Sequence, residues 1–178
     1  MTRHTIELRS VRQTAAAALL CACGVVVPMI FHAVGLGRVF LPMHLPVLIA
    51  GLILAPREAV AVGLITPWAS AFLTGMPPFP TASAMSLELA VLAGSASLLV
   101  AIGMSPWTAT IVAIALRAGV TWLITSVLAE WLGLPPRSSG WAAVAAGTPG
   151  IVLQVLFAPA AAAIIGRRFS NPGISPPG

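Results

Sequence analysis

Long apolar runs alternate along the chain with short interruptions built from Pro, Gly and Arg. Six runs separate cleanly, at about 13–34, 40–55, 59–75, 83–103, 107–132 and 141–165. Most reach the roughly 20 apolar residues that an α-helix needs to cross a bilayer. The second and third are shorter and carry Pro42 and Pro46, and Pro67. Pro56-Arg57-Glu58 divides these two runs, and the Pro-rich Gly75–Pro80 segment follows the third. Met104-Ser105-Pro106 forms a tight turn whose Pro suits the first turn of the next helix. A second Pro/Gly loop spans Gly133–Gly140. The pattern predicts an all-α, polytopic integral membrane bundle of six transmembrane helices over residues 13–166. Residues 1–12 form a cytoplasmic N-terminal segment, and the Pro/Gly/Ser-rich residues 167–178 a cytoplasmic disordered tail. The basic start followed by an apolar run resembles a signal peptide. That run is too long for one and further spans follow, so it is expected to be retained.

Composition agrees. Of 178 residues, 58% are hydrophobic and only 7% charged, against about 25% charged in soluble domains. Such a chain cannot solvate itself as a lone globule, and six spans leave no room for a soluble domain. All nine basic residues are Arg and all four acids are Glu, while Lys, Asp and Tyr are absent. A chain without Lys has no Walker A loop, and one without Asp has no Asp-paired metal site. Cys21 and Cys23 sit two apart in the first run, match no metal spacing, and read as small apolar filler. No catalytic constellation, metal site or cofactor motif is present, so the expectation is a protein that is not an enzyme.

The net charge of +5 does not imply nucleic acid, because the Arg residues lie mainly between apolar runs and not on one face. They act as orientation signals. With the N-terminus inside, Arg3, Arg9, Arg12, Arg57, Arg167 and Arg168 are cytoplasmic, Arg38 and Arg137 external, and Arg117 lies within a span. This distribution predicts N-in and C-in, a multi-pass protein of a bacterial-type plasma (inner) membrane. The external loops, 35–43, 75–82 and 133–140, are then the long Gly/Pro-rich ones. They are either a ligand lid or simply stiff turns. Trp131 and Trp141 fit interfacial anchors.

Close packing in a membrane relies on small residues. Pairs four apart occur at Ala18 and Ala22, Gly51 and Ala55, Ala59 and Gly63, and Ala90 and Gly94. The first pair faces either a neighbouring helix or a partner protein.

Ionisable groups within spans are costly, at about 2.5–3.5 kcal/mol on insertion scales, and are therefore functional candidates. Glu88 is expected about five residues below the external end of helix four, with His44 at a similar level at the start of helix two. Either they contact a polar ligand, or Glu88 ties helices together through Arg117 and His44 is merely interfacial. Arg117 lies mid-helix with Thr110, Thr121 and Thr125 on the same side of the helical wheel. It is read as a structural ion pair with Glu88, as an anion site, or as a cationic face. Gln154 and Arg38 are secondary ligand candidates. Glu130 is expected near the external interface, where charge is ordinary.

The segment from Phe40-Leu41-Pro42-Met43-His44-Leu45-Pro46 through Gly51, Ala55-Pro56-Arg57, Gly63, Pro67, Leu73-Thr74-Gly75-Met76-Pro77-Pro78 and Leu87-Glu88-Leu89-Ala90 resembles the substrate-binding S components of energy-coupling-factor (ECF) transporters. The resemblance covers residues 15–165 in architecture and 40–90 in motif. It implies capture of a vitamin-like small molecule beneath the 35–43 and 75–82 loops. It also implies assembly with a transmembrane T component and two ATPase subunits, which would supply the energy that a chain without a P-loop lacks. The family's small-residue motif facing the T component maps onto Ala18 and Ala22. No signature of a biotin or riboflavin subfamily is present. Pantothenate, a nicotinate-like vitamin, and cobalamin or a precursor remain open as substrates. Two other classes fit the residues: a stand-alone ion-coupled transporter using Glu88 and Arg117 as a relay, and a membrane assembly protein without a ligand.

Overall fold

The computed structural model describes residues 3–33, 35, 40–129, 145 and 147–170. Six helices are present among them: α1 (Arg3–Ala33), α2 (His44–Ile53), α3 (Pro56–Thr74), α4 (Phe79–Ala101), α5 (Pro106–Leu123) and α6 (Thr148–Ser170). A π-helical turn, Ile124–Leu128, prolongs α5. No strand occurs among the described residues.

Four stretches are long and apolar enough to cross a membrane: Val11–Phe31, Phe79–Ala101, Pro106–Val127 and Thr148–Gly166. The other two helices fall short for different reasons. α3 has 19 residues, but Arg57, Glu58 and several small polar residues dilute it. α2 has only 10 residues, about 15 Å at 1.5 Å per residue, or half of a hydrocarbon core about 30 Å thick. The apolar run over 40–55 therefore forms the helix His44–Ile53, and this helix alone is shorter than a span. Its first residues form a turn in which Leu41 has φ 48° and the His44 N–H bonds to the Leu41 carbonyl at 3.0 Å. Pro46 falls in the first turn of α2, where its missing N–H is no loss.

Helix ends follow local chemistry. Pro56 opens α3 and Gly75, at φ 72°, closes it in the left-handed conformation that glycine adopts without penalty. Ser105 caps α5 by accepting the Thr108 N–H at 3.2 Å, and Pro106 is the first helical residue. α4 begins at Phe79, straight after Pro78, four residues earlier than the apolar run suggests, because Pro80 is tolerated in a first turn. α1 reaches back to Arg3, so residues 3–12 are helical. α6 continues to Ser170, so residues 167–170 prolong that helix and do not begin the tail.

α4 is the central helix, packed by α2, α3 and α5. α6 packs on α2 and α5, while α1 lies against α3 and α2. Glycines set the closest approaches. A β-carbon at Gly51 would stand 2.6 Å from the Ala93 carbonyl oxygen, and one at Gly63 would stand 2.5 Å from that of Leu89. Both of these crossings thus bring α2 and α3 onto the backbone of α4. Serines of α4 complete them: Ser97 donates to the Leu54 carbonyl at 2.8 Å and Ser86 to the Leu64 carbonyl at 3.1 Å. The small-residue pair Ala18 and Ala22, in contrast, is exposed on α1.

Candidate functional site

The α3–α4 loop lies at one end of the bundle, and the α2–α3 and α4–α5 turns lie at the other. Counting along each helix places three candidate side chains at one depth. Glu88 is nine residues into α4 from the loop end, and Arg117 is eleven residues into α5 from the turn end. At 1.5 Å per residue these are about 13 Å and 16 Å. His44 is the first residue of α2, about 15 Å above the turn that ends it. Glu88 is therefore deeper in the bundle than a helix starting at Ser83 would put it, and His44 lies at a similar level. The early start of α4 and the short length of α2 account for the two placements.

The three side chains meet there. Arg117 Nη1 donates to His44 Nε2 at 3.1 Å and stands 3.8 Å from Glu88 Oε2. All three residues are buried, with exposures of 2% for His44, 8% for Glu88 and 3% for Arg117. Guanidinium can only donate, so Nε2 must present its lone pair and the imidazole is the neutral Nδ1–H tautomer. The distance to Glu88 exceeds a hydrogen bond, so that contact is an electrostatic pairing within a low dielectric.

Several buried polar atoms of these helices have no hydrogen-bond partner: Arg117 Nε, His44 Nδ1, Gln154 Nε2 and Oε1 on α6, and Thr110 Oγ1, which is about 10 Å from the level of Arg117 along α5. The Leu41 carbonyl takes the backbone N–H of His44 and also interacts with the imidazole. The polar stripe of α5 divides in two. Thr121 donates to the Arg117 carbonyl at 3.1 Å and Thr125 to that of Thr121 at 2.7 Å, so both are satisfied locally, as helical Thr often is. Thr110 is not.

Gln154 belongs to a stripe of α6 with Gly150, Ala158 and Ala162, all buried and four residues apart on one face. A β-carbon at Gly150 would stand 2.5 Å from the Phe40 carbonyl oxygen. That contact sets α6 against the turn leading into His44, with Gln154 one turn deeper. This stride of four was legible in the sequence but was not among the small-residue pairs singled out. Burying an amide without partners costs about 1–3 kcal/mol. Gln154→Leu, close in volume, is therefore expected to raise the unfolding midpoint of the purified protein in detergent. A fall in that midpoint would show the amide to be satisfied in the folded state.

Arg38 and Glu130, with Trp131, Arg137 and Trp141, lie outside the described residues. Among the described residues no group of three or more His, Cys, Asp or Glu is placed to hold a metal ion. Cys21 and Cys23 are free, and the Cys21 sulfur accepts the Thr66 hydroxyl at 3.4 Å, a helix-packing contact between α1 and α3. At the loop end, Trp68, Phe72 and Phe79 form an aromatic group with ring centroids 5.5–6.2 Å apart, suited to a membrane interface. No family profile matches the chain, and no curated protein or solved structure is significantly similar to it.

Proposed function

We propose that the chain is the substrate-binding S component of an ECF-type transporter, taking up a vitamin-like small molecule with energy from partner ATPases. The observation that carries this reading is the mid-depth group of His44, Glu88 and Arg117, joined from three helices, with Gln154 on a fourth. Ionisable groups at that depth are expensive, and this one leaves donors unused at atoms screened from water. The absence of Lys removes a P-loop of its own and fits a subunit that borrows ATPases. The exposed Ala18 and Ala22 on α1 fit a helix that meets a T component. On this reading the chain passes a bacterial-type plasma membrane six times, N-in and C-in, as the Arg distribution favours, with the α3–α4 loop outside and the second passage completed by α2 together with the turn over 41–43 that leads into it.

Mass spectrometry of protein purified gently from its own membrane is expected to show a retained micronutrient. Affinity capture is expected to bring down a T component and two ATPases. Empty protein that also captures no ATPase would remove the proposal. A stand-alone ion-coupled transporter is the second reading, favoured by the same Glu88–Arg117 pair as a proton or ion relay. It predicts uptake that persists without ATPases and stops when the proton gradient is collapsed.

A further inference from the structure

Arginine positions on three helices lie in one plane at the turn end of the bundle. Phe40 is the common reference. The Phe31 ring of α1 stands 5.8 Å from the Phe40 ring, and Gly150 of α6 abuts the Phe40 carbonyl. From Phe31 back to Arg12 is nineteen residues, and from Gly150 on to Arg168 is eighteen, about 28 Å and about 27 Å along the two helix axes. Both lengths match a hydrocarbon core about 30 Å thick. The third helix, α3, is tied to α1 through Thr66, whose hydroxyl donates to the Cys21 sulfur at 3.4 Å. A β-carbon at Gly24 would stand 2.5 Å from the Thr66 methyl carbon. α1 ends beside the entry to α2, α2 runs away from that level and α3 returns to it, so α1 and α3 run the same way. Arg12 is nine residues before Cys21 and Arg57 nine before Thr66, so these two share one level. Arg12 is also the second residue of the apolar stretch Val11–Phe31, which puts the plane at a membrane boundary.

Nine residues are two and a half turns. Arg12 is therefore on the opposite side of α1 from Cys21, and Arg57 on the opposite side of α3 from Thr66. Both are exposed, and neither forms an ion pair or hydrogen bond with a described residue. Glu58, beside Arg57 in the chain, lies in the first turn of α3, where the helix N-terminus favours a negative charge. Guanidiniums that diverge in this way cannot share one soluble anion, which needs convergent donors. Each stands instead on the rim, at the level where a bilayer presents its phosphates. We propose that this plane holds a shell of anionic phospholipid. Arg12 and Arg57 each engage the phosphate of a separate headgroup, and Arg167 and Arg168 extend the shell to the end of α6. A headgroup of net negative charge, such as phosphatidylglycerol, balances the guanidinium it meets. The ammonium of phosphatidylcholine competes for its own phosphate. On the N-in orientation proposed above, this is the cytoplasmic leaflet.

The test uses the full chain in neutral detergent, titrated separately with phosphatidylglycerol, phosphatidylcholine and inorganic phosphate. Bound lipid is counted by native mass spectrometry and the unfolding midpoint is followed alongside. Phosphatidylglycerol is expected to bind at least about fivefold more tightly than phosphatidylcholine, the gain from one guanidinium at an anionic surface, and to raise the midpoint. Arg12→Gln and Arg57→Gln should each lose about that factor. The double variant should lose both, because the two residues do not share a headgroup. Arg12→Lys and Arg57→Lys keep the charge and should keep most of the preference. Equal binding of the two lipids overturns the proposal. So does a midpoint raised as much by inorganic phosphate, which would mark a soluble-anion site. Glutamine variants that keep the full lipid preference but lose a captured protein partner would assign the arginines to a protein interface, and the proposal would fail. None of these readings depends on a bound micronutrient, so the lipid shell and the uptake role stand or fall separately.

Discussion

Arg117→Met is expected to destabilise the folded protein by about 3–5 kcal/mol, the usual penalty for removing one partner of a buried ion pair. Glu88 would lose the guanidinium that now faces it at 3.8 Å, and His44 Nε2 would lose its donor. The double change Arg117→Met with Glu88→Leu should recover most of the loss, because two apolar groups replace two desolvated charges. Urea or thermal unfolding in a mild detergent, run as a double-mutant cycle, checks both statements. A double variant no more stable than Arg117→Met would mean that the pair does not account for the loss. Arg117→Lys separates charge from geometry. Lysine keeps the positive charge but lacks the planar fork that lets one guanidinium serve both His44 and Glu88, so an intermediate stability is expected.

Gly63→Val is expected to have the next largest effect. A β-carbon there would stand 2.5 Å from the Leu89 carbonyl oxygen and 2.6 Å from the Ala90 nitrogen, so the clash is with backbone that cannot swing aside. Overpacking of this kind costs about 1–3 kcal/mol or more, and it would push α3 off α4 one residue from Glu88. Gly63→Ala should show the same sign at smaller size. Gly119 is the control: nothing lies within 4 Å of its hypothetical β-carbon, and alanine in a helix gains up to about 1 kcal/mol over glycine. Gly119→Ala is thus expected to stabilise while Gly63→Ala destabilises. Equal effects at the two sites would overturn the close α3–α4 crossing.

The helices were legible in the chain because apolar runs bounded by Pro and Gly have few other readings. Ser105-Pro106 marked the start of α5 for the reason that holds in the structure: a cap and a residue with no N–H to satisfy. The start of α4 was missed by four residues because Pro80 looks like loop until Pro78 is seen to precede the first turn. The length of α2 was hidden for a related reason. An apolar run carrying Pro42 and Pro46 does not say which of the two lies before the helix. Once α2 begins at His44, the imidazole falls to the level of Glu88 and meets Arg117, a residue 73 positions away on a helix that no local pattern connects to it. The Glu88–Arg117 pairing was one of the alternatives, since two opposite charges in apolar spans have strong reason to meet. The position of Gln154 beside the turn into α2 depends on Gly150 abutting Phe40. That is a contact between distant segments and has no signature in either one.

The shortness of α2 also bears on how the protein is made. On the six-span topology proposed above, α2 is too short, and α3 too polar, to partition from the translocon into lipid as a single segment. The two are joined by only Leu54 and Ala55, and Gly51 and Gly63 seat both on the backbone of α4. They are therefore expected to enter the bilayer as one hairpin and to be held there by α4, the next helix to be synthesised.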